Sequence, residues 1–152
     1  YLCEKKKKKM IASKLIERYT EMNQFGRLIE LQITSLQEGY CMYSILVQQK
    51  HLATERVIHG GVLSAIMDQT MGVAALSQVE KMQKLVATLE FKITYFNPAS
   101  INDTLTSTGE VIKAGNRIIY TEGVIKNQNN VLICKGTGTF NAYPAKKVGI
   151  TL

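Results

Sequence analysis

One carboxylate stands in the most apolar stretch of this chain. From Gly60 to Gln78 the only ionisable side chain is Asp68, while Val62, Leu63, Ile66, Met67, Met71, Val73, Ala74 and Leu76 occupy more than one face of a helix drawn through them. Such a helix is buried nearly all round, and a carboxylate on it is costly unless it has partners or a task. Ser64, Asp68 and Gly72 recur at every fourth residue and form one small, polar stripe on the cylinder, suited to lining a cleft. Just ahead, the glycines of His59-Gly60-Gly61 let the backbone approach a ligand, and the first amide N–H groups of the helix have no intrahelical acceptor. Free donors with the helix dipole behind them suit a carbonyl oxygen that gains negative charge. An ionised Asp68 is equipped to take a proton from water or to attack an electrophilic carbon itself. The plainer role is a structural carboxylate that caps or pairs elsewhere.

The other reactive side chains form weaker patterns. His59 precedes Asp68 on the same segment, yet no Ser or Cys stands in the tight strand-to-helix turn that a triad nucleophile needs, so His59 is a catalytic candidate expected to fix the turn by hydrogen bonding, with a direct role on the substrate as the alternative. His51 reads as an exposed loop residue. Cys3, Cys41 and Cys134 are odd in number and lack paired spacing, which indicates neither a disulfide framework nor a zinc site. No metal or redox cofactor is called for. Lys113 and Arg117 flank a Gly-Asn turn, where charge-assisted hydrogen bonds to a phosphate are open to them.

Regular elements must hold these groups in place. Ile11, Leu15, Tyr19 and Met22 fall three and four apart and predict an amphipathic helix over residues 10–25, ended by Gly26. Residues 28–36 and 40–48 alternate as two strands about a Glu38-Gly39 turn. The polar segment 49–58 leads into the His-Gly-Gly turn and is expected to border the cleft. After the apolar helix, residues 85–96 read as a strand ended by Asn97-Pro98, followed by strands over 104–112, 117–126 and 131–140. Ala114-Gly115-Asn116 and the Asn-rich 127–130 supply tight hairpin turns. The sum is an α+β layout, one long helix on one face of an antiparallel sheet.

Composition narrows the classes further. The chain has 152 residues, 45% of them hydrophobic, enough for one domain with a real core. Its formal charge is +7, but Lys5 to Lys9 form a single run that reads as a solvated tail. Without Trp, or basic and aromatic residues interleaved on strands, nothing points to nucleic acid. No apolar run reaches bilayer-spanning length, so no membrane role is expected, and a cytoplasmic setting is the simplest one.

The motif H-G-G, Asp68 nine residues after its His, Gly72 four further on, and a strand ending Tyr95-Phe96-Asn97-Pro98-Ala99 resemble the hotdog-fold acyl-CoA thioesterases. The nearest group is the PaaI-like, thioesterase-superfamily type. The resemblance spans residues 27–143, leaving 1–26 as a basic tail and helix and 144–152 as a C-terminal tail. It implies an antiparallel sheet wrapped round the central helix and an acyl-CoA substrate, CoA entering only as part of it. It also implies homodimers, or homotetramers built from them, with the site between subunits. Asp68 then matches the acidic general base or nucleophile, and the N–H groups of Gly60 and Gly61 match the oxyanion hole. Thr88 falls where the family often has a Ser or Thr reaching across from the neighbouring subunit. One departure is Ala53, where many relatives carry an amide side chain six residues before the His. A non-catalytic acyl-CoA sensor and a 3-hydroxyacyl-thioester dehydratase are the competing readings.

Overall fold

The computed structural model describes residues 14–149. The lysine run, Cys3 and the first residues of the predicted N-terminal helix lie outside that range. Six strands form one sheet: β1 (Gln32–Gln37), β2 (Tyr40–Leu46), β3 (Lys84–Tyr95), β4 (Thr104–Ala114), β5 (Ile118–Asn127) and β6 (Leu132–Pro144). Their order is β1-β2-β4-β5-β6-β3 and every pairing is antiparallel. The chain therefore passes from β2 to the far edge before returning to build the middle. The helices are α1 (Lys14–Met22), α2 (Gln24–Leu28) and α3 (Gly60–Val79), and α3 is the central helix of a hotdog arrangement.

The N-terminal segment differs from its predicted form. A single helix ended by Gly26 was expected, but Asn23 interrupts it and its side chain accepts from the Gly26 N–H, starting a second short helix that contains Gly26. Strand β1 accordingly begins at Gln32, after Glu30 turns the chain in the left-handed region. An Asn that can cap competes with helix continuation.

Helix α3 is buried on most of its circumference, with Ile66, Met67, Met71, Ala74 and Ala75 fully enclosed. It sits that close because the sheet beneath it lacks side chains along one row. Gly109 on β4, Gly123 on β5 and Gly136 on β6 are register partners across three strands. A Cβ at Gly109 would lie 2.7 Å from the Thr70 carbonyl oxygen, and one at Gly136 would lie 3.1 Å from Met67 Cγ. Because the Thr70 atom is backbone, the helix itself must shift to admit a methyl group. Gly109→Ala is expected to cost about 1–3 kcal/mol. For a chain of this size each kcal/mol lowers the unfolding midpoint by about 2–4 °C. An unchanged midpoint in thermal unfolding would contradict the close approach.

His51 corrects another expectation. It is 1% exposed, not a surface loop residue. Its Nδ1 accepts from the Gln48 N–H at 3.0 Å, so its Nε2 carries the proton donated to the Ile29 carbonyl, also at 3.0 Å. Nε2 thus ties the loop to the end of α2 while Nδ1 braces the loop's own turn, which a polar local sequence cannot reveal. Burial, the largest cause, pushes its pKa below the ordinary histidine value. The unfolded chain therefore takes up the proton first as pH falls. This stability contribution is complete above the ordinary histidine pKa, about 6.5, and is lost as pH falls below it and through the lower pKa of the folded state. His51→Gln should flatten the acid side of a plot of unfolding midpoint against pH; parallel curves would remove His51 from that dependence.

Candidate active site

Helix α3 presents two chemical features at different depths. At its first turn His59 is the N-cap, and its Nδ1 accepts from the Gly61 N–H at 2.8 Å. The Gly61 donor, expected alongside Gly60 in an oxyanion hole, is thus already used. A Cβ at Gly61 would lie 2.8 Å from that same Nδ1, so any larger residue there must push the imidazole aside. The N–H groups of Val62 and Leu63 both turn back to the His59 carbonyl. Among the described residues, only the Gly60 N–H of this first turn is left without an acceptor.

A short hydroxyl relay pins that turn. Tyr95 Oη donates to the Gly60 carbonyl at 3.0 Å and lies 2.5 Å from Ser64 Oγ. With the tyrosine proton spent on Gly60, the serine must donate to Tyr95. The end of β3 is thereby tied to the start of α3. Ser64 was legible as part of the polar stripe, but its partner lies 31 residues away and no local pattern marks it. A cavity of about 290 Å³ opens beside the turn, lined by Val57, Ile58, Gly60, Leu63, Tyr95 and Phe96 among others.

Asp68 lies two turns further along, about 12 Å by helical rise. It faces a second cavity of about 300 Å³, formed with α1, β3 and β6. Thr88 Oγ1 donates to Asp68 Oδ1 at 2.8 Å. This contact lies within one chain, whereas the resemblance implied a Thr88 reaching over from a neighbour. Strand β3 runs beside its own α3, which brings the two side chains together. Among the described residues Asp68 Oδ2 accepts no side-chain hydrogen bond, so one carboxylate oxygen is held and the other is available. Along α3, β3 and β6 beyond Asp68 the walls are mostly apolar: Val73, Leu76, Leu85, Val86 and Phe140.

The remaining expected groups are not gathered here. Lys113 and Arg117 are exposed at the β4–β5 hairpin and line neither cavity. Cys41 and Cys134 are buried thiols, and desolvation pushes both up in pKa, Cys134 to about 12. Such thiols are poor nucleophiles. Among the described residues no cluster of His, Cys, Asp or Glu is arranged to hold a metal. No helix among them is long and apolar enough to cross a membrane.

A profile of the thioesterase superfamily matches residues 55–134, the span that carries both features, and more than half of the 152 residues. The chain belongs to the thioesterase superfamily. Thioester hydrolysis is accordingly its class of reaction. Among related proteins, human acyl-coenzyme A thioesterase 13 is 24% identical, the alignment covering 82% of this chain and 89% of that protein. The fold is that of Escherichia coli PaaI, from the phenylacetic acid degradation operon, with a TM-score of 0.79 at 22% identity over 84% of this chain and 90% of PaaI. A hypothetical thioesterase protein of Streptococcus pneumoniae, solved with coenzyme A, is 25% identical with a TM-score of 0.70, covering 75% of this chain and 86% of that one. In this superfamily chain, then, the matched segment runs from the loop before His59 into β6.

Proposed function

We propose that this thioesterase hydrolyses acyl-CoA to the free acid and CoA, with Asp68 as general base and the Gly60 N–H as oxyanion donor. Water attacks the thioester carbonyl carbon while Asp68 Oδ2 takes its proton. The C=O electron pair moves onto the oxygen facing the Gly60 N–H, and collapse of the tetrahedral adduct breaks the C–S bond. The leaving sulfur takes the proton back from Asp68, so one water is consumed and one thiol is released. Thr88 positions the carboxylate by holding Oδ1. The observation that carries this reading is the pairing of one held, half-free carboxylate with one unsatisfied helix N–H on the same matched segment. The acyl-CoA substrate is supported by the names of the relatives, human acyl-coenzyme A thioesterase 13 above all.

The two groups open into different cavities of one chain, so a single carbonyl does not reach both there. We infer that the site is completed by a second copy, the Gly60 of one subunit facing the Asp68 of the other. Strand β3 supports this: it is a sheet edge of 12 residues, and Leu89, Tyr95 and Phe96 on or just after it stand 58%, 47% and 53% exposed. A long apolar edge invites pairing with another chain. The test is thiol release from a panel of short, long, branched and aromatic acyl-CoAs. Stoichiometric thiol and acid from at least one of them is expected; binding without release from any would favour the sensor reading.

A further inference from the structure

We propose that α1 is the specificity wall of the Asp68 cavity, closing it over a medium-length apolar acyl group that lies along α3 from Asp68 toward Leu76. The inference rests on the thioesterase reading above. Helix α1 precedes the superfamily match, which begins at residue 55, yet Arg18, Tyr19 and Met22 on it line the same cavity as Asp68. Two attachments hold it there. Ile16 is 4% exposed and belongs to the core. At the other end Asn23 Nδ2 donates to Gln69 Oε1 at 2.6 Å, while Asn23 Oδ1 accepts from the Gly26 N–H at 3.0 Å. Both halves of that amide are in use, and Gly26 leaves room for it, since a Cβ there would lie 2.7 Å from Asn23 Nδ2. Gln69 lines the same cavity as Asp68, so the latch fixes α1 at the wall of the cavity that holds the carboxylate. Burial, with the charge of Asp68 second, raises the Tyr19 pKa, in keeping with that placement.

The cavity's length and lining give the class of ligand. Asp68, Gly72 and Leu76 follow at four-residue intervals, a groove floor of about 12 Å. Gly72 keeps it open: a Cβ there would stand 3.3 Å from the Phe140 ring. Among the described residues Arg18 on α1 is the one charged residue of the lining apart from Asp68, and the other side walls are Leu85, Val86, Phe140 and Tyr143. Met22 is apolar and 63% exposed at the rim, where a longer chain must pass or displace it.

The experiment compares kcat/KM for butanoyl-, octanoyl-, dodecanoyl- and palmitoyl-CoA in wild type, Met22→Ala and Met22→Trp, with Phe25→Ala on α2 as an exposed control. Met22→Trp should lower the dodecanoyl-to-butanoyl ratio by about tenfold, and Met22→Ala should raise the palmitoyl-to-butanoyl ratio by a similar factor. Phe25→Ala should keep the wild-type profile. The same profile in all four proteins, or an equal shift in the control, overturns the wall. Binding of the non-hydrolysable S-alkyl thioethers of CoA, measured in parallel, separates the two claims. Length selectivity in binding that follows Met22, without thiol release, upholds the wall and removes the hydrolase reading. No binding and no release by wild type removes both.

Discussion

Gly60→Pro is expected to lower kcat by about a hundredfold to a thousandfold, the usual effect of deleting one oxyanion donor, with the unfolding midpoint close to wild type. Proline replaces the N–H at stake with its ring Cδ and takes no other hydrogen-bonding group from the turn. Gly60 is the first residue of α3, a position where proline's fixed φ suits the helix and its missing donor breaks no intrahelical bond. His59 is extended at φ −70° and ψ 132°, the conformation a residue before proline favours. A Cβ at Gly60 meets nothing nearer than the Tyr95 ring at 3.7 Å. A folded, fully active Gly60→Pro enzyme would take the oxyanion role away from this amide.

Asp68→Asn should cost more. The amide oxygen can still accept from Thr88 Oγ1 and the side chain keeps its size, so the helix and the cavity remain, but no oxygen is left that can take a proton from water. Loss of a positioned general base costs about a hundredfold to ten-thousandfold in rate. On the proposed role the loss should fall on kcat rather than KM, because a base acting on water does not hold the acyl group. Thiol release under saturating acyl-CoA measures it directly. Near-normal turnover would return Asp68 to a structural role.

Much of this architecture was legible because it is written in short-range patterns. The unbroken apolar run with one carboxylate gave α3 and Asp68, and period-two alternation with Gly and Asn turns gave the six strands to within a few residues. What stayed hidden depends on residues far apart in sequence. Strand β3 pairs with β6 at the sheet edge rather than with β4, and no local periodicity encodes a partner. The glycines at 109, 123 and 136 look like scattered strand breakers until register lines them up under α3. His51 has a polar neighbourhood in sequence and a buried one in space. Gly61 looked like a donor because helix starts have free N–H groups, but the preceding imidazole already takes that one. The Asn23 to Gln69 latch joins residues 46 apart, so nothing in the helical spacing of residues 10–25 placed α1 at the wall of the cavity that holds the carboxylate.

Sharing of the site between two copies is tested most directly by mixing two defects. Gly60→Pro and Asp68→Asn chains carrying different tags, each inactive alone, are co-expressed and assayed for thiol release. If Gly60 of one subunit serves the Asp68 of the other, every mixed dimer holds one doubly damaged site and one intact site. Random assembly then restores about a quarter of wild-type activity, carried by the doubly tagged species. A mixed dimer as inactive as its parents would mean that each chain needs its own Gly60 and its own Asp68, and would contradict the shared site.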